Sequence, residues 1–335
     1  IVINPNIVHI NKIVVNVNVR YGVREPLALP KYLGSAEYLE LYNEARINDG
    51  FGPSFDSDLI DKYKSGNNPY RYPSVDYFSD EYLRSYASRR DVVSEFAGGN
   101  ERSQYYVNIG WNFDQSLVKL NPDVNVGSNR FNIRGNIDFK VNDWIRSSVD
   151  AVAIMSSDKS SLINWFATGT TIKPHTHAPL LPPSMMVDTS ATGTLESQLE
   201  AANLYDGMLL GTSQAYPGDT LIANTLAGGY LKSNFRSTQF NNSIDFDLDM
   251  IAEGLSARTY LSFDFYDVYD LSIENKYQRY QPDWMGDSIV GLNSFGDVDR
   301  KDLTETVSSY GFVSRLGFYG LLNYQKSFKE NHAIN

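Results

Sequence analysis

The sequence predicts an all-β fold, an antiparallel segment of a transmembrane β-barrel with about eight strands and long loops that carry short helices. Apolar and polar residues alternate with a period of two, as in a strand with two different faces. Many of these runs extend over about 10 to 15 residues, whereas ~5–6 residues are typical of a globular sheet. The connections between the runs are alternately short and long, as in outer-membrane barrels.

Composition excludes several other classes. Of the 335 residues, 42% are hydrophobic and 21% charged, which argues against a disordered chain. The net charge of −11 leaves no basic surface for a nucleic acid, so we expect no nucleic-acid partner. Cysteine is absent, and no apolar run approaches the ~18 residues that a spanning helix needs.

The first strand is predicted at residues 13–21, where valines alternate with asparagines. A long connection, 24–90, follows it and contains three predicted helices, at 35–48, 57–65 and 75–88. A connection of this length with its own helices is expected to form a small packed unit, and such loops are usually functional.

The strands that follow show the same alternation. Between 130 and 141 every polar residue falls on one face. The run at 240–250 alternates similarly, with Phe240, Ile244, Phe246, Leu248 and Met250 opposite Asn241, Ser243, Asp245, Asp247 and Asp249. The other predicted strands are 91–97, 105–113, 145–155, 259–266 and 310–324.

Connection length separates a membrane barrel from a soluble sandwich, because a sandwich has no reason to sort its loops by parity. The short connections are predicted at 99–104, 142–144, 252–254 and 329–332. The long ones are predicted at 24–90, 120–129, 156–234 and 280–306. The apolar faces are therefore expected to contact outer-membrane lipid, and the polar faces a hydrated lumen.

Several segments together resemble the SusC/RagA family of TonB-dependent outer-membrane transporters of Bacteroidota. The order is a strand, YLELYNEARINDG at 38–50, LIDKYKSGNNP at 59–69, EFAGGNERSQYYVNIGW at 95–111 and RFNIRGNIDFKVNDW at 130–144. The resemblance covers about 16–156 and rests on the order of these segments. From 234 onward the chain is similar only to generic barrel hairpins.

The resemblance implies a barrel of about 22 strands with a plugged lumen, located in the outer membrane of a Gram-negative bacterium. It further implies energy supplied by TonB through the plug, a SusD-like surface lipoprotein as a lid, and nutrient uptake of oligosaccharides or peptides. The family's plug and C-terminal strands have no counterpart in residues 1–335, and residues 1–12 depart from the family pattern. Because a ninth strand is expected to begin near the end, the sequence predicts part of a longer polypeptide.

Candidate contacts with substrate or a partner lie in the two later long loops, because aromatic rings stack on sugars and on peptide side chains. A second candidate is a row of acidic residues on the lumen face, which would bind a cation or steer a basic substrate, or simply form a hydrated wall. The aromatic candidates are Trp165, Phe166, Tyr280 and Trp284, and the acidic row is Asp245, Asp247 and Asp249 with Asp264 beside it.

The sequence predicts no enzyme. His175 and His177 offer two imidazoles on an extended loop, but two ligands do not make a metal site. Phosphate-binding glycine loops, nucleophile elbows and His-Glu-x-x-His motifs are absent. We therefore expect no catalytic residues, no cofactor and no bound metal.

Three alternatives to import remain open at this stage. In the first, the barrel is a non-transporting scaffold in a larger outer-membrane complex. In the second, it is a self-contained eight-strand barrel that serves as an adhesin or anchor, and side chains fill its interior. A soluble β-rich binding module is the third alternative, and it would extract without detergent.

Overall fold

The structure, a computed structural model, describes residues 12–177, 180–189, 193–213, 217–328 and 332–334. Eight long strands form one antiparallel sheet in chain order, so the predicted all-β, antiparallel fold is confirmed. The sheet is open, because within the described residues its two outer strands each pair with a single neighbour. The strands are β1 Val14–Arg24, β2 Ala87–Gly99, β3 Ser103–Gln115, β4 Gly127–Lys140, β5 Ile145–Ser160, β8 Gly229–Asp247, β9 Leu255–Met285 and β10 Ser288–Tyr324.

The first long connection contains the first two predicted helices, α1 Ser35–Asn48 and α2 Ser57–Ser65. α2 ends at Gly66, whose left-handed conformation (φ 62°) suits glycine. The helix predicted at 75–88 is wrong. This stretch forms turns, and Leu83 makes an isolated bridge to Val118, because its apolar side chains serve a core built with other loops.

Short helices and strand pairs fill the third long connection, between β5 and β8. These are α3 Trp165–Gly169, β6 Leu180–Leu181, α4 Thr194–Ala201, β7 Leu209–Leu210 and α5 Leu221–Ala227, with 3₁₀ turns at Pro174–Thr176 and Pro183–Met185. β6 pairs with β7. None of the helices in the described residues is long and apolar enough to cross a membrane.

The predicted long loop at 280–306 is wrong, because this stretch is strand. β9 has 31 residues and β10 has 37, and they pair almost to a tight tip at Gly286. Register shifts between Gly296 and Thr304 interrupt the pairing. Those irregularities broke the period-two pattern on which the sequence prediction depended.

The short connection predicted at 329–332 falls largely outside the described residues, as do 1–11. At this end the structure describes a separate two-stranded pair, β11 Lys326–Phe328 and β12 His332–Ile334.

The sheet has an apolar face that no other element in the described ranges covers. Register places Val19, Val92, Trp111, Phe131 and Met155 side by side across the first five strands. Three of them are strongly exposed, with relative exposures of 71% for Val19, 40% for Phe131 and 53% for Met155. A water-soluble protein would cover such a continuous apolar surface.

The buried core lies in the connections rather than on the sheet. We define the loop cap as residues 25–86, 116–126, 161–228 and the β9–β10 tip at 275–300. Three clusters of buried side chains hold these segments together. The largest consists of Tyr77, Phe78, Tyr82, Leu83, Val118, Trp165, Leu221 and Ile222.

Candidate functional site

The polar face of the sheet carries paired charges and amides. Arg20, Asp91, Asn112 and Arg130 are opposite one another on four successive strands. Asn112 donates a hydrogen bond to the Asp91 carboxylate, and farther along the same two strands the Tyr106 hydroxyl donates to Glu95 at 2.7 Å. Such a surface is suited to a hydrated lumen, where water and side chains share the hydrogen bonds.

Asp245, Asp247 and Asp249 of the acidic row line one open pocket near the end of β8, and each carboxylate has a partner. Asp245 forms an ion pair with Arg258 on β9. Asp249 lies beyond the end of β8, in a turn where its carboxylate accepts the Gly254 N–H at 2.7 Å, and Asp247 accepts the Asp249 N–H at 3.1 Å. These contacts commit the three carboxylates to an ion pair and a turn.

Asp264 is separate from that row. Register places it opposite Gln239 on β8, six residues along β9 from Arg258, and opposite Arg315 on β10. The expectation that Asp264 lies beside the row is therefore incorrect, because the strand pairing offsets the two groups.

The two adjacent aromatic candidates of the third connection have different environments. Trp165 is 3% exposed and its indole N–H donates to the Tyr77 carbonyl at 3.0 Å. It packs against Tyr77 and Tyr82 in the core of the loop cap. Phe166 is 39% exposed and is the one of the two that a ligand or partner can reach.

The other two aromatic candidates lie near the tip of the long hairpin. Tyr280 is 5% exposed, in a cluster with Leu181 and Ile289. Trp284 packs partly against this cluster, and the Arg71 guanidinium lies 5.9 Å from its ring centroid. A ligand therefore reaches Trp284 and Phe166 more easily than Tyr280 and Trp165.

The loop cap contains an open cavity of about 720 Å³ between the first and third connections. α1 contributes Leu39 to its wall and α2 contributes Leu59 and Tyr63, while Ile172 and His175 come from the third connection. The cavity exists because the two connections pack together. Its volume is within the range of small-molecule sites.

His175 lies on the cavity wall between two rings of the first connection. It stacks on Tyr38, with centroids 5.3 Å apart, and meets Phe55 edge-on at 5.4 Å. Burial, together with the charge of nearby Lys173, lowers the pKa of His175 below its usual value. The imidazole is therefore neutral at pH 7, and its buried Nδ1 has no hydrogen-bond partner among the described residues.

His177 is in a different environment. Its Nδ1 is 2.6 Å from the Tyr77 hydroxyl, and the side chain is 2% exposed. Burial lowers its pKa to about 3, and burial raises the pKa of Tyr77. The Nδ1 atom of His177 is therefore committed to Tyr77. In the described part of the chain, no group of three metal-ligating side chains occurs.

Sequence reasoning missed most of this cavity. Tyr38, Phe55, Tyr63 and Lys173 were not singled out, because nothing local distinguishes them from other loop residues. The available signal was the long first connection with its two helices and the His-Thr-His segment of the third. Their contact depends on packing between residues more than 100 positions apart, such as Tyr63 and His175.

No protein-family model matches the chain, and neither does any curated protein. The fold is similar to a solved structure of the RagAB peptide transporter, with 14% identity, a TM-score of 0.46, and coverage of 79% of this chain and 29% of that one. RagAB in its "open-open" state is similar at 13% identity and a TM-score of 0.36, covering 93% and 39%. The outer-membrane transporter YddB from Escherichia coli is similar at 8% identity and a TM-score of 0.30, covering 71% and 26%. The chain thus spans less than two fifths of each of these structures.

Proposed function

We propose that this chain forms part of the wall of an outer-membrane importer of the SusC type. The observation that carries the proposal is the two-faced sheet, with a continuous exposed apolar face on one side and paired charges on the other. Hydrocarbon accepts the first face and cannot solvate the second. Eight long strands with this arrangement are suited to a bilayer on the outside and a hydrated passage on the inside.

The asymmetry of the two sheet ends supports an orientation. Turns at 100–102, 141–144 and 248–254 lie at one end, and the loop cap lies at the other. In outer-membrane barrels the short turns face the periplasm and the long loops face the exterior. We therefore assign the loop cap to the cell surface.

Partners and cargo follow from the sequence resemblance. A SusD-like lipoprotein would cover the loop cap, TonB would act through a plug that lies outside residues 1–335, and the cargo would be an oligosaccharide or a peptide. Import would proceed by gated passage and involve no covalent chemistry. Phe166 and Trp284 are the accessible aromatic side chains that we propose as substrate or lid contacts.

Uptake by cells tests this function. The host gene would be deleted, and uptake of labelled oligosaccharide and peptide mixtures would be measured in the deletion strain, the complemented strain and a strain without TonB. We expect the loss of either gene to abolish uptake of one cargo class, and complementation to restore it. A protein that assembles in the outer membrane and retains its partners while every uptake rate is unchanged would contradict import and favour the scaffold.

A further inference from the structure

We propose that the loop-cap cavity binds a branched or aromatic side chain attached to a carboxylate, as in the C-terminal residue of a peptide or a free aryl carboxylate. The inference extends the proposed function to the chemistry of its cargo and takes its biological meaning from it. Binding itself requires only the loop cap, so it can be tested without transport.

The apolar side chains of the cavity wall favour a ligand with an apolar group. Leu39 is 0% exposed and Leu221 is 1% exposed, and both line the cavity together with Phe55 and Ile172. An apolar group that enters leaves water for apolar contacts, which contributes ~25 cal/mol per Å² of surface buried.

The charges around the cavity favour a carboxylate on the same ligand. Lys173 and Asp219 both line it. Asp219 forms an ion pair with Arg279, whereas Lys173 has no ion-pair partner within the described ranges and is exposed at the cavity. The uncompensated charge is therefore positive, which favours a carboxylate.

His175 supplies a polar anchor within the apolar wall. It is 8% exposed and lines the cavity, and its buried Nδ1 has no hydrogen-bond partner in the part of the chain that the structure describes. A buried polar atom without a partner costs free energy, and a ligand group that pairs with the ring recovers it. A neutral imidazole donates at one nitrogen and accepts at the other, so it can pair with a carboxylate or with an amide.

Binding would be measured by calorimetry on the natural full-length protein in detergent, with TonB absent. The probes are the tripeptide Ala-Ala-Phe, its C-terminal amide, and 3-phenylpropanoate. We expect Ala-Ala-Phe to bind at least ten-fold more tightly than its amide. Equal binding of 3-phenylpropanoate would assign the site to free carboxylates, and much weaker binding would assign it to peptides; both results support the proposal.

Two variants assign the contacts. Lys173→Gln should weaken Ala-Ala-Phe about ten-fold and leave the amide unchanged, so that the two probes bind alike. His175→Phe keeps an aromatic ring between Tyr38 and Phe55 and should weaken both peptides. Lys31→Gln changes an exposed lysine of the same cap and should have no effect.

The proposal is overturned if the unchanged protein binds acid and amide equally, binds neither, or keeps its preference for the acid in Lys173→Gln. These results are independent of import, because uptake is measured in cells. Uptake that depends on TonB together with no binding would disprove the cavity site alone. Binding without any uptake would disprove the importer alone.

Discussion

The buried histidine of the loop cap links pH to local stability. His177 has a pKa of about 3 in the folded cap and ~6.5 when exposed. As the pH falls, His177 binds a proton in the unfolded cap at a higher pH than in the folded cap. The contribution of neutral His177 to the free energy of unfolding is therefore fully present above pH 6.5 and is lost as the pH falls toward 3. At pH 5 we expect the cap to be destabilised by about 2 kcal/mol.

The measurement is the denaturant midpoint of Trp165 fluorescence at pH 7.5 and pH 5, in a variant that keeps Trp165 as its sole tryptophan. Trp165 reports on this region because it contacts Tyr77, the partner of His177. His177→Gln in the same background retains a hydrogen-bonding side chain without a titratable ring. Its midpoint should change much less with pH, and an equal change would show that His177 is not responsible.

Gly229 occupies a position at the start of β8 that requires glycine. It begins β8 with φ 105°, and a Cβ there would lie 2.0 Å from the Ile273 carbonyl oxygen. Backbone strain alone at such a position costs ~1–3 kcal/mol, and the clash adds to it. Gly229→Ala should therefore lower the free energy of unfolding at the β8–β9 junction by more than the strain alone. Gly135→Ala on β4 has open space around it and serves as the control. The readout is the temperature at which the folded protein loses its heat-modifiable band on gels, and equal temperatures for the two variants would contradict the prediction.

At the scale of a single strand, neighbouring residues of β4 should respond in opposite ways to a charge. Ile133 lies on the apolar face and is 36% exposed, and Asn132 lies on the polar face near Asn108, 3.4 Å away. Ile133→Lys places an ammonium in lipid and should cost ~2–4 kcal/mol near the midplane. Asn132→Lys should be tolerated, because an ammonium on the polar face would remain solvated in the proposed hydrated passage.

Assembly into the outer membrane would be quantified for both lysine variants. We expect Ile133→Lys to reduce the amount of folded protein in the membrane, with Asn132→Lys close to the unchanged protein. If Asn132→Lys were the more damaging of the two, the assignment of the two faces would be reversed.

Strands were predictable from the sequence where two neighbours pair without interruption. β4 keeps one register with β3 and with β5 throughout, so its faces alternate without error from Arg130 onward. The part of β9 and β10 near the hairpin tip was not predictable, because register shifts after Gly296 change which residues share a face. The turn-rich stretch that contains Tyr77 and Leu83 has helix-like spacing only because its apolar residues enter a core contributed by other loops.

Across the whole molecule, the polar face follows from regular strand alternation, whereas the cavity follows from packing between distant segments. Alternation alone indicated the polar face of the sheet. The cavity depends on Leu39 and His175 meeting across the first and third connections, and no local pattern encodes that meeting. Aromatic residue type suggested Trp165 as a ligand contact, but its indole was needed to satisfy the Tyr77 carbonyl in the core.

The eight-stranded sheet has two edges without a strand partner in the described ranges and should not be stable when produced by itself. In the described residues β1 pairs only with β2, and β10 only with β9, so two strand edges carry backbone groups without strand partners. In a bilayer such edges are very costly, because lipid offers no hydrogen bonds, and in water they promote aggregation. Residues 1–335 expressed alone and refolded into detergent should therefore form strands yet remain sensitive to protease and aggregate, whereas the natural full-length protein should be protease-resistant. A protease-resistant, heat-modifiable monomer of 37.8 kDa would instead mean that the eight strands close on themselves, and would favour the small barrel over the importer.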